Sequence, residues 1–164
     1  IATYDNAKLS HALILSGHWT SQGEMLEIGL TSLRWLLDAQ TTESGQFAPI
    51  GCHGFWAEGG EKARFDQQPL EAHAMVSACL EAYAVTKDEF WEKAARRCFE
   101  WFLGRNDLGQ PLYDTRTGGC RDALLQDHLN QNQGAESSLA FYLSLTELTR
   151  ALAPAQRRLE VCAA

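Results

Sequence analysis

Gln68-Pro-Leu-Glu-Ala-His-Ala-Met75 opens the stretch that decides the fold, and Gln133-Gly-Ala-Glu136 echoes its start further along the chain. From Leu70 to Ala84 the residues are apolar or small around most of a helix circumference, the pattern of a helix covered on several sides. An earlier echo, His11-Ala12-Leu13, precedes His73-Ala74-Met75 by a similar interval. Between these helices Gly45-Gln46 recurs as Gly109-Gln110, and Gly51-Cys52 as Gly119-Cys120, again at closely matching intervals. The common offset defines a unit of roughly 60 residues, too small to bury its own apolar face, so units must stack on one another.

The remaining helical patterns complete that unit. From Ser21 to Gln40, Leu26, Leu30, Leu33 and Leu37 share one face, while Glu24, Glu27, Arg34 and Asp38 take others. From Asp88 to Leu103, Trp91, Ala94, Ala95, Cys98, Trp101 and Phe102 form a stripe opposite Glu89, Lys93, Arg96, Arg97 and Glu100. Both are one-sided helices. Leu9 to Leu15 and Ala135 to Leu148 read like the central run, so the expected order is buried, half-exposed, buried, half-exposed, buried. An all-α fold of paired helices in inner and outer layers follows. Long polar loops, Thr41 to Gln68 and Gly104 to Gln133, follow each half-exposed helix and are expected on one rim. The domain is expected to span residues 1–153, with 154–164 as a tail.

Composition excludes several function classes. With 14 Lys and Arg against 21 Asp and Glu, the formal charge is −7 and no basic block occurs, which argues against nucleic acid. The longest purely aliphatic run, Ala12 to Leu15, is far too short to span a bilayer, so no membrane partner is expected. Five cysteines form no C-x-x-C pair, and Cys79 and Cys98 fall on apolar faces, which fits a reduced, cytoplasmic setting. Cys52, His53, His73, Cys120 and His128 lack the paired spacing of zinc ligands, and no glycine-rich phosphate loop is present; neither metal nor cofactor is expected.

The hairpin repeat resembles the all-α toroids of six helical hairpins, a superfamily of glycosidases and N-acylglucosamine 2-epimerases. More narrowly, Phe65-Asp-Gln-Gln-Pro-Leu-Glu-Ala72, Gly118-Gly-Cys-Arg-Asp122 and Asn130-Gln-Asn-Gln-Gly-Ala-Glu-Ser137 resemble the C-terminal segment of bacterial proteins labelled glycosyltransferases. The resemblance runs from Ala7 to Leu152 and covers about two and a half hairpins, an incomplete (α/α)6 toroid. It implies a carbohydrate-related module, glycosidase-like or appended to a transferase, with a saccharide ligand. It also implies apolar flanks that call for the rest of the ring or for self-association. Two other readings stand beside it: a non-catalytic helical interaction scaffold, and a sugar epimerase using His53 or His128 as base.

In such toroids the ligand lies among the loops and inner-helix N-termini, where the repeat puts Glu71 and Glu136 in equivalent places. Two carboxyl groups in one pocket suit glycoside hydrolysis, one as acid and one ionised. Asp66 and Asp122 are the other candidate acids. A glutamate near a helix start is equally an N-terminal signature that satisfies free amides, with Pro69 as a first-turn residue, so the two roles stay open. Phe55 and Trp56, after Gly51-Cys52-His53-Gly54, offer rings for a sugar face or anchors for the loop. His53, Gln68, Tyr113, Arg116, Asp127, His128, Asn132 and Gln133 supply hydrogen-bonding groups for hydroxyls or for the loops' own backbone.

Overall fold

A computed structural model describes residues 2–153; the tail assigned to 154–164, with Cys162, lies outside the described residues. The described chain folds as five α-helices, α1 (Ala7–Trp19), α2 (Gly23–Ala39), α3 (Pro69–Thr86), α4 (Glu89–Glu100) and α5 (Ala135–Leu152), with a 3-10 turn at Trp101–Leu103. The β-type pairing among the described residues is confined to isolated bridges in the loops and the segment before α1. All-α is therefore the fold class.

Local chemistry sets the helix ends. Gln68 is extended and Pro69 occupies the first turn of α3, where a missing N–H costs nothing. Lys87 closes α3 in the left-handed region, and Asp88 then caps α4 by accepting from the Phe90 N–H at 2.9 Å. That two-residue corner turns the chain back into an antiparallel hairpin. Helices α1 and α2 form the other hairpin, with Gly17 and Gly29 where they cross; a Cβ on Gly17 would lie 2.5 Å from the Leu26 backbone nitrogen.

α3 stands between α1 and α5, and α2 and α4 each pack on the helix before them. Twelve residues of α3 are buried, among them Ala72, Ala74, Met75, Val76, Ala78, Cys79 and Ala82, and such small side chains allow neighbours on several sides. Trp91, Ala94, Ala95 and Cys98 of α4, with Trp101 and Phe102, complete the core around it.

The expectation for α1 and α5 needs correction. Only Ala7, Ser10, Ile14 and Gly17 of α1 are buried, and only Ser137, Ala140, Phe141, Ser144 and Leu148 of α5. Each is a single stripe. Leu9 is 75% exposed and Leu139 58%, because the described chain supplies no helix for the second flank of either one. The helices at the two edges of the row carry the composition of α3 without its surroundings.

Candidate functional site

The two long loops lie on one end of the helix row, over the starts of α3 and α5. Gln67 and Leu124 exchange backbone hydrogen bonds of 3.0 and 2.9 Å, joining loop to loop. Gln67 is fully buried there, accepting from Trp101 Nε1 at 2.9 Å and donating to Asp107 at 2.7 Å. The two long loops therefore meet each other through this bridge.

Their opening turns are the same structure. Gly45 N–H donates to the Thr42 carbonyl and Gly109 N–H to the Asn106 carbonyl, both glycines at positive φ. The side chain at the turn's first position then accepts the next amide, Gln46 to Thr42 Oγ1 at 3.1 Å and Gln110 to Asn106 Oδ1 at 3.4 Å. This is the repeat at atomic level.

At the α3 end, a polar cluster joins the first loop to the segment Ala2–Asn6. Tyr4 Oη donates to Gln68 Oε1 at 2.8 Å, Gln68 Nε2 donates to Cys52 Sγ at 3.2 Å, and Cys52 Sγ donates to Asp66 Oδ2 at 2.8 Å. Phe55 meets the Tyr4 ring edge-on at 5.6 Å. Trp56 pairs its backbone with Ala2 and stacks its indole on Trp35 of α2, 5.5 Å between centroids and 7° from parallel. His53 is exposed at the loop surface. Burial and the Asp66 carboxylate push the Cys52 thiol up to about 11, so it stays a thiol near neutrality and is no nucleophile there.

Glu71 is 3% exposed and points at the start of α1. Its Oε1 accepts the Asp5 N–H at 2.5 Å, and the Asn6 backbone and side chain also bond to the carboxylate. Asn6, the residue before α1, makes no side-chain cap of its own, so Glu71 caps α1 from the neighbouring helix. Burial pushes its pKa from the ordinary 4.5 to about 7, against the lowering effect of those bonds.

At the α5 end the arrangement differs. Asp122 Oδ1 accepts the Gly134 N–H at 2.7 Å, and Asn132 Nδ2 and Ser137 also bond to the carboxylate; burial opposes these bonds, but they hold its pKa below the usual range. Asp122 is a helix cap. Glu136 is exposed. The equivalence of Glu71 and Glu136 therefore fails: Glu71 is the third residue after its cap, Gln68, whereas Glu136 is the second after Gly134. One residue turns a side chain by roughly 100°. Buried Ser137 holds the third place.

The other expected residues divide between these regions. Tyr113 stacks on Phe141 at 4.2 Å, Arg116 pairs with Asp114 at the loop surface, and Gln133 accepts from Thr117 Oγ1 at 2.6 Å. Asp127 and His128 form an exposed pair at 2.6 Å. Phe55, Asp66, Gln68 and Glu71 thus gather at α3, Trp56 lies beside them, and Tyr113, Arg116, Asp122, Asn132 and Gln133 gather at α5.

Sequence reasoning missed Tyr4, Asp5 and Asn6, whose signal is a polar run just before a helix. It also missed Ser77 and Glu147. Ser77 Oγ donates to Glu147 Oε2 at 2.6 Å, and His73 Nε2 lies 3.2 Å from Ser77 and 3.4 Å from Glu147. A catalytic relay needs the acid on the far imidazole nitrogen. Here the acid meets the same nitrogen and takes the hydroxyl directly, so the trio ties α3 to α5. Among the described residues no group of three His, Cys, Asp or Glu side chains is arranged to hold a metal, and no helix is long and apolar enough to cross a membrane. Comparison with family models and with curated proteins returned no match.

Proposed function

We propose that the chain is part of a saccharide-handling helical-hairpin toroid, with its working surface at the start of α3. The observation that carries this is the cluster of Tyr4, Phe55, Asp66 and Gln68 beside Glu71, a buried carboxyl that holds a proton near neutrality. A buried acid in the company of a second carboxyl group, a ring and amide groups is what glycoside chemistry asks of a site. The acid pair in this reading is Glu71 with Asp66; Glu136 and Asp122 have no part in it. The row of α1, α3 and α5 backed by α2 and α4 supports the toroid. Further hairpins of the ring would stand against the groove of about 790 Å³ lined by Leu9, Ile28 and Trp35, and against the open flank of α5.

A second reading has its own support. Glu71 and Asp122 both satisfy helix-start amides, and Leu9, Trp19, Trp35, Leu139 and Leu143 are exposed, as an interaction scaffold would have them. An oligosaccharide binding and turnover screen with Asp66→Asn and Glu71→Gln separates the two. Loss of binding or turnover at unchanged melting temperature supports the saccharide site. Absence of any retained glycan, or variants that lose stability alone, supports the scaffold.

A further inference from the structure

The end of α4 and the first opening turn enclose a cavity of about 350 Å³, walled by Ser44, Gly45 and Gln46 of the turn, by Arg97 and Glu100 of α4, and by Arg105 just beyond. Charge is unevenly satisfied there. Along α4, Lys93 pairs with Glu89 at 3.2 Å, Arg96 with Glu92 at 3.0 Å, and Glu100 with Arg105 at 2.8 Å. Arg97 has no ion-pair partner among the described residues. Lys93 stands one turn before it and Trp101 one turn after, and the carboxylate three residues on, Glu100, is taken by Arg105. Arg97 is half-buried, and its Nε is sealed from solvent and lacks a hydrogen-bond partner. A sheltered cation without a counter-charge is unfavourable, and a guanidinium offers forked donors that suit an oxyanion. Its place in the last turn of α4 gives Arg97 some electrostatic relief, yet leaves the Nε donor unused.

We propose that this cavity binds a phosphate group, held by the Arg97 guanidinium with help from Arg105 and Ser44. The three come from separate stretches of chain: the last turn of α4, the segment after the 3-10 turn and the first opening turn. Donors drawn from several walls suit a tetrahedral oxyanion better than a planar carboxylate, which a single guanidinium grips along one edge. Arg105 keeps one nitrogen on Glu100 at 2.8 Å and has others to give. The Ser44 hydroxyl shares one bond with Thr42 Oγ1 at 2.8 Å and can serve a second partner. Glu100 is the opposing charge in the cavity; with Arg105 neutralising it, Arg97 leaves a net positive charge there. The ligand is inorganic phosphate or a small phosphate monoester, and once bound it joins α4 to the turn that opens the first loop.

The phosphate site does not depend on the saccharide reading, since none of its residues belongs to the α3 cluster. The whole chain is titrated with inorganic phosphate, glycerol phosphate and acetate at constant ionic strength and pH, and backbone amide shifts are followed by nuclear magnetic resonance. Saturable shifts at Ser44, Gly45 and Gln46 are expected with the phosphate probes, the tighter of the two naming the source, and none with acetate. Arg97→Gln is expected to weaken the apparent affinity about tenfold or more, as loss of a charge-assisted bond does. Arg96→Gln removes the same charge from a side chain already paired with Glu92, and is expected to leave the affinity within about twofold. Arg105→Gln, at an exposed side chain, is expected to weaken it about threefold, and serves if Arg97→Gln does not fold. Absence of saturable shifts in the wild type overturns the site. Equal weakening by Arg96→Gln overturns it too, since a diffuse field would then be at work, as does acetate binding as tightly as phosphate.

Discussion

The starts of α3 and α5 follow opening turns of one design, yet they are finished differently. At α5 the acid comes from the preceding loop: Asp122 reaches twelve residues along the chain to Gly134. At α3 the acid comes from within the helix and reaches sideways, Glu71 satisfying α1 across 66 residues of sequence. The local cap leaves a carboxylate at low pKa, while the lateral one buries it and raises its pKa. A repeat can thus copy backbone turns faithfully and still finish its helix starts with acids from different places and of opposite electrostatic behaviour.

The sharpest break in the comparison is expected at Gly51 and Gly119. A Cβ on Gly51 would lie 1.8 Å from the Phe65 carbonyl oxygen, whereas on Gly119 it would meet the Gln133 side-chain amide, which can swing away. Gly51→Ala is expected to cost about 3 kcal/mol or more, and Gly119→Ala about 1 kcal/mol, by denaturant unfolding. Equal losses would mean that the loops are braced alike.

Glu71 next predicts a pH dependence opposite in sign to that of Asp122, whose lowered pKa makes the folded state gain stability as pH rises at the acid end. The folded pKa of Glu71, about 7, exceeds the ordinary 4.5, so the native state holds the extra proton and stability falls as pH rises through that interval. The steepest slope is expected near 1 kcal/mol per pH unit, flattened in Glu71→Gln. Unfolding curves from pH 4 to 8 check this; a rise with pH over that range in wild type would contradict it.

Smaller effects distinguish the two opening turns. Asn106 is buried, donates to the Trp101 and Gln110 carbonyls and accepts from two amides, so Asn106→Ala is expected to lose about 2 kcal/mol. Thr42→Ala, at the partly open equivalent, is expected to lose under about 1 kcal/mol. Smallest is the α5 pair: Asp122→Ala is expected to cost about 1 kcal/mol as a lost cap, and Glu136→Gln within about 0.5 kcal/mol, by thermal melts.

Much of the fold was legible because periodicity records one-sided burial: α2 and α4 fall where their leucine and tryptophan stripes put them. The state of α1 and α5 was not, because an apolar residue at position 9 or 139 looks the same in sequence whether or not a neighbour covers it. The site was half legible. Asp66, Gln68 and Glu71 announced themselves as polar groups around a helix start, whereas Asp5 and Asn6 act on a partner distant in sequence. The one-residue offset between Glu71 and Glu136 was hidden because a glycine stands after Gln133 where Pro69 follows Gln68, and Gly134 itself becomes the cap.

Trp35 and Trp56 give the molecule a built-in optical gauge. Near-parallel indoles at 5.5 Å couple their transition dipoles, and one ring belongs to α2 while the other belongs to the loop residue that pairs with Ala2. The dichroic signal of that pair therefore reports the joining of an outer helix to the rim, separately from the helical content beneath it.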